Sequence, residues 1–100
     1  GLALGEKLGL DPAKLLPTLM AGAAANWFLD KRGATMLAGQ FTPGFKCGHL
    51  LKDLTIVQGM ANEVGLHSSV IEMARDHYAQ LVLRGEADSD TSALILLKRG

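Results

Sequence analysis

The sequence predicts an all-α fold of five to six helices, on three observations. Apolar residues recur at spacings of three and four. The segments so patterned are bounded by glycine, Asp-Pro and hydroxyl-bearing residues of the kind that stop and start helices. No stretch alternates apolar and polar residues as a half-buried strand does. At 100 residues, 48% apolar and 20% charged, the chain has the length and composition of one folded domain covering residues 1–100.

The elements follow in order. Leu2 to Leu8 mixes Leu, Ala, Glu and Lys as a helix does, and Gly9 is placed to end it. Asp11-Pro12 supplies a capping side chain and a proline for the first helical position, opening a second helix through Leu15, Leu16, Leu19 and Met20 that Pro17 should kink or shorten. From Ala24 to Ala38 a third helical pattern runs through Phe28, Leu29, Met36 and Leu37, interrupted at Gly33 and stopped at Gly39. "GQFTPGF" has loop chemistry and delivers Phe45 to the next element. Between Cys47 and Val64, Leu50, Leu54, Val57, Ala61 and Val64 form one apolar stripe that Gly65 closes. Ser69 with Glu72 reads as a capping box before Val70, Ala74, Tyr78 and Leu81, and Gly85 marks the far end. "EADSDTSALILLK" starts with acidic and hydroxyl residues suited to a helix start and turns apolar, giving a short last helix.

Several function classes are disfavoured. Ten basic residues balance ten acidic ones, and no Lys/Arg cluster stands beside aromatics, so nucleic acid is not an expected partner. The longest uncharged stretch, interrupted by Pro17 and Asn26, is shorter than the ~20 apolar residues a spanning helix needs. Cys47, His49, His67 and His77 are too dispersed for a zinc spacing, so no metal site is expected. There is no G-x-G-x-x-G, and Ser68, Ser69, Ser89 and Ser92 fall where capping accounts for them. In "GEKLG" the glycines four apart signal close packing or a helix stop. The single cysteine fits a reducing cytoplasm. Because Gly1 falls within a pattern, the chain reads as cut from something longer.

The stretch "HLLKDLTIV" (49–57) sets Lys52 and Asp53 inside an apolar run. Asp53 is spaced to fall on the buried stripe, where a carboxylate loses water and must gain hydrogen bonds or a cation, or hold a proton. His49, one turn earlier, could be its partner, as could a cation from another helix or domain. Lys52 falls at the stripe's border, its stem on apolar surface and its ammonium outward. Either the pair is structural, with Lys52 a solvated edge and Asp53 a satisfied carboxylate, or both belong to a site. Phe45 is a packing plug or the wall of a small-molecule pocket, and Trp27 an anchor in a core or an interface.

"FTPGFKCGHLLKDL", "ANEVGL" and "HYAQLVLRGEADSDTSAL", in that order, resemble the C-terminal helical domain of β-hydroxyacid dehydrogenases, among them 3-hydroxyisobutyrate dehydrogenase and the tartronate semialdehyde and glyoxylate reductases. The resemblance covers nearly the whole chain and is most specific from Phe41 to Leu97. It implies a domain like the C-terminal one of 6-phosphogluconate dehydrogenase, closing over NAD or NADP held mainly by a Rossmann domain outside this chain. It implies a small hydroxy acid or semialdehyde as substrate, and a homodimer or higher homo-oligomer. By the same resemblance Lys52, the lysine of "KDL", lies by the cofactor, while Asp53 and Phe45 border the active cleft. The family's acid/base lysine is expected upstream of residue 1, and Lys7 does not match its motif, so no catalytic residue is assigned in this chain. A helical self-association module without catalysis of its own is the other reading, suggested by Trp27, Met36 and the apolar stripes.

Overall fold

The structure, a computed structural model, describes residues 1–99. Its helices are α1 (Leu2–Lys7), α2 (Pro12–Met20), α3 (Trp27–Ala38), α4 (Cys47–Glu63), α5 (Ser69–Leu83) and α6 (Ile95–Arg99), the last entered through a 3₁₀ turn over Thr91–Leu94. The expected all-α class is what is found, and no helix among the described residues is long and apolar enough to cross a membrane.

Local chemistry accounts for most boundaries. The Asp11 carboxylate accepts from the Ala13 N–H at 3.0 Å ahead of Pro12, and Gly9, Gly39, Gly65 and Gly85 take the left-handed backbone that closes α1, α3, α4 and α5. Three expectations need correction. Pro17 does not cut α2 short: the helix continues to Met20, because the proline leaves only the carbonyl of exposed Ala13 without a helical donor, and water can serve it. The third helix starts at Trp27 rather than Ala24, since the Asn26 side chain accepts from the Leu29 N–H at 2.8 Å and fixes the cap there. The cap of α5 is Ser68, whose Oγ accepts from the Ile71 N–H at 3.3 Å, leaving Ser69 as the first helical residue.

Gly33 does not interrupt α3 either. It is buried in mid-helix, and a Cβ there would come to 2.5 Å from the Leu16 side chain. Gly5 on α1 gives Leu15 the same room, so consecutive leucines of α2 seat in glycine notches on its two neighbours. Of the glycines in "GEKLG", Gly5 serves close packing and Gly9 serves the stop.

The α4–α5 hairpin packs against the 3₁₀ turn, which puts Cys47, Tyr78, Leu81 and Ala93 at the centre of the core with Phe41, Leu50, Leu51, Leu54 and Leu97 around them. The Tyr78 hydroxyl donates to the Thr91 carbonyl at 2.9 Å, so its polar tip is satisfied inside the core, where burial pushes its pKa up to about 12. At the opposite end Arg99 donates to both carboxylate oxygens of Glu6 and to the carbonyls of Met36 and Leu37. One guanidinium therefore ties α1, the C-terminus of α3 and α6 together.

Candidate functional site

The buried face of α4 is turned away from the expected one. Cys47 and Ala61 are buried, with Leu50, Leu51, Leu54 and Gln58 half-buried beside them, whereas Val57, Met60 and Val64 are exposed. Asp53 therefore does not lie on the buried stripe; its side chain is 51% exposed, and its Oδ1 meets the Lys52 ammonium at 3.3 Å. Of the partners open to it, His49 or a cation from another helix or domain, Asp53 has neither among the described residues and pairs with its sequence neighbour Lys52. A four-and-three spacing fits two adjacent helix faces almost equally well, and the core residues Cys47 and Leu51 decide between them.

Phe45 is 37% exposed in the loop before α4, with its ring centroid 6.1 Å from that of His49. His49 is exposed and precedes Lys52 and Asp53 by one turn. Phe45 in the loop and His49, Lys52 and Asp53 on the first half of α4 thus follow one another, next to exposed Ile56 and Met60. An aromatic ring, an imidazole and a loosely paired ammonium beside apolar surface suit a ligand with a flat ring and an anionic group.

The carboxylate that does lose its water is Asp90. It is 1% exposed, and the Gly44 and Phe45 N–H groups donate to its Oδ1 at 2.9 and 3.1 Å. The Ser92 N–H donates to Oδ2 at 3.0 Å and the Ser92 hydroxyl at 2.5 Å, while Arg32 Nε of α3 stands 3.4 Å from Oδ2. Burial pushes the carboxyl pKa up, but the Ser92 hydroxyl and the Phe45, Ser92 and Gly44 N–H groups favour the anion more strongly, so it falls from 3.8 to about 2. Backbone bonds run alongside: Asp90 N–H to Phe41 carbonyl, Thr91 N–H to Phe45 carbonyl, Cys47 N–H to Ser89 carbonyl and Gly48 N–H to Ala87 carbonyl. A Cβ on Gly44 would meet the Arg32 guanidinium and push it from its present place beside Asp90.

Sequence reasoning assigned the 86–92 segment to helix capping and missed Asp90 and Arg32. Asp90 does cap the 3₁₀ turn, so the local signal is real. Its longer reach, to amides 45 and 46 residues away, has no local signature. Cys47 is fully buried, its thiol donating to the Asp90 carbonyl at 3.4 Å, and burial together with Asp90 and Glu86 pushes its pKa up to about 11. A thiol so placed is a packing residue rather than a nucleophile. A cavity of about 420 Å³ lies elsewhere, between α1, α2, α3 and α6, lined mainly by Leu2, Leu19, Phe28, Leu29 and Ile95; Phe45, Lys52 and Asp53 take no part in it.

The chain is thus an all-helical domain that pins a Pro-Gly-Phe loop beside an exposed Lys-Asp pair. A family model described as the NAD-binding domain of NADP-dependent 3-hydroxyisobutyrate dehydrogenase matches residues 1–97, and the chain belongs to that family. It is 36% identical over 96 residues, 96% of its length, to a probable 3-hydroxyisobutyrate dehydrogenase-like protein of Arabidopsis thaliana described as mitochondrial, of which it covers 29%. Among solved structures it is similar to the 3-hydroxyisobutyrate dehydrogenase of Mycobacterium tuberculosis with L-serine, with a TM-score of 0.79 and 27% identity, covering 99% of this chain and 38% of that one. The fold is also that of a 3-hydroxyisobutyrate dehydrogenase from Salmonella typhimurium, with a TM-score of 0.88 at 21% identity, over 96% of this chain and 34% of that one. The chain spans about a third of the length of the curated relatives it matches.

The Asp90 clamp makes a prediction about acid. A folded-state pKa lowered from 3.8 to about 2 contributes stability that is fully present above the unfolded value and is lost as pH falls through the folded one. The contribution is about 2 kcal/mol. Chemical denaturation of the wild type should therefore show stability falling between about pH 4 and pH 2, and Asp90→Asn should be less stable at pH 6 with a much weaker dependence over the same range. Parallel wild-type and variant curves across that range would contradict the clamp.

Proposed function

We propose that this chain is the C-terminal, cofactor-clasping domain of an NAD(P)-dependent oxidoreductase that interconverts a small β-hydroxy acid and its semialdehyde. What supports the reading is the match of residues 1–97 to a family model defined by NAD binding. Within it, Lys52 is the residue for the cofactor, and Phe45 and Asp53 border the substrate side. The nicotinamide supplies the hydride acceptor and donor; this domain supplies position and dryness. Hydride transfer needs both reactants held in close geometry with water excluded, and a helical lid contributes that without taking part in the bond changes.

The residues present fit such a cofactor. The Lys52 side chain is 66% exposed and paired only to its sequence neighbour, Asp53. An exposed pair of this kind is worth no more than about 1 kcal/mol, so an incoming phosphate can take the ammonium at little cost. Asp53 then keeps the amine near the cleft while no ligand is bound. The exposed Ile56, Met60 and Val64 on the same half of the hairpin form a surface that packing against a second domain would dry. No residue of this chain is assigned the proton transfer, and the lone cysteine suits a reducing, cytoplasmic compartment.

In the intact oxidoreductase, Lys52→Ala should raise the cofactor KM about tenfold, the equivalent of one charge-assisted contact, with Lys52→Arg recovering part of it. Initial-rate kinetics with the cofactor varied at saturating hydroxy acid measures this, and unchanged constants would remove Lys52 from the site.

A second reading, self-association through the helical domain, is favoured by Trp27, Val70 and Met73, which are 66%, 68% and 55% exposed. It is compatible with the first, since a lid can also join protomers. Sedimentation equilibrium of the purified chain should show a dimer or larger species; a strict monomer at the highest attainable concentration would exclude it.

A further inference from the structure

Phe45 stands at the surface strip that the proposed function makes the substrate side of the active cleft, and its place is set through its backbone. Its N–H donates to Asp90 Oδ1 at 3.1 Å, and its carbonyl accepts from the Thr91 N–H at 2.8 Å. Both bonds come from the same two-residue segment at the start of the 3₁₀ turn. The preceding amide, Gly44, goes to the same carboxylate oxygen.

We infer that Asp90, oriented by Ser92 and Arg32, is the positioning residue of the substrate side of the active cleft: its carboxylate fixes the Pro43-Gly44-Phe45 loop and through Phe45 sets the affinity for the hydroxy acid. The inference rests on the proposed function for the role of Phe45.

Burying a carboxylate costs several kcal/mol before its partners compensate. Capping a short 3₁₀ turn does not require that, because a serine or a solvated asparagine caps as well. Asp90 is the one charged side chain among the described residues that is fully buried, and two of its four hydrogen bonds go to a loop whose residues Thr42 to Phe45 are exposed. The carboxylate thus holds an exposed loop in one arrangement rather than joining core helices. The same segment also anchors the start of α4 through Ser89 and Ala87, so Phe45 and the helix bearing Lys52 share one reference point. A neutral amide cannot substitute. Asn in place of Asp90 would turn its NH₂ either toward the N–H groups of Gly44 and Phe45 or toward Ser92 and Arg32, setting donor against donor.

A double-mutant cycle in the intact oxidoreductase tests this, using Phe45→Ala, Asp90→Asn and the pair, with the hydroxy acid varied at saturating NAD⁺ or NADP⁺. Asp90→Asn should raise the hydroxy acid KM about tenfold with a smaller change in kcat, Phe45→Ala should raise it comparably, and the pair should be no worse than Phe45→Ala alone. Arg32→Gln, which leaves the carboxylate in place and disturbs only its orientation, should shift KM the same way by less, again with no effect once Phe45 is alanine. It carries the test if Asp90→Asn fails to fold, as circular dichroism and Tm would show. Folded Asp90 or Arg32 variants with wild-type KM, or effects that add to that of Phe45→Ala, would overturn the inference. If Phe45→Ala itself is silent, the cleft assignment of Phe45 falls and this inference with it, whereas the Lys52 variants report separately on the domain's role.

Discussion

The buried carboxylate of Asp90 is the constraint on which the organisation of the α4 half of the domain depends. A charge with 1% exposure is stable only where its surroundings are arranged around it, and here they come from three directions: α3 through Arg32, the Pro-Gly-Phe loop through two amides, and the 3₁₀ turn through Ser92. Neighbouring features follow from that arrangement. The Arg32 guanidinium passes over Gly44, Cys47 lies under the Asp90 carbonyl, and the Tyr78 hydroxyl closes the far side at Thr91. The rest of the domain is held by different means, with glycine notches around α2 and the fork of Arg99 joining α1, α3 and α6.

This division of labour suits a domain that works against another surface. One end is tied by glycine notches and the Arg99 fork, while the other, packed on the core of Cys47 and Leu81, presents Phe45, His49, Lys52 and Asp53 on a framework that hydrogen bonds also hold in register. The Lys52 and Asp53 charges stay in water and weakly paired; the Asp90 charge is buried and fully satisfied. The two demands on a carboxylate are incompatible in one residue, and the chain meets them with two aspartates.

Much of the fold was legible because helix starts and stops are local chemistry. Asp11-Pro12, Gly9, Gly39, Gly65 and Gly85 carry their meaning within a few residues, and each does what its type dictates. Errors arose where two local signals competed, as with Ser68 against Ser69, or where a distant partner decided. The physical reasoning that a carboxylate in the interior needs donors and a cation holds, but it applies to Asp90 and not to Asp53. The α4 spacing allows two faces, and only the docking of the 3₁₀ turn against Cys47 selects one. Gly33 looked like an interruption because its partner, Leu16, lies on another helix. The site residues came from motif resemblance, and their exposure, together with the hidden clamp beneath Phe45, required the coordinates.

Hydrogen–deuterium exchange resolved by residue tests the clamp most directly. If the Asp90 carboxylate holds the loop, the amides of Gly44 and Phe45 should be protected as strongly as core amides of α4 and α5, although both residues lie in an exposed loop. Exchange of those two amides at the rate of an unstructured chain, with α4 and α5 still protected, would show that the carboxylate does not hold the loop and would contradict the account.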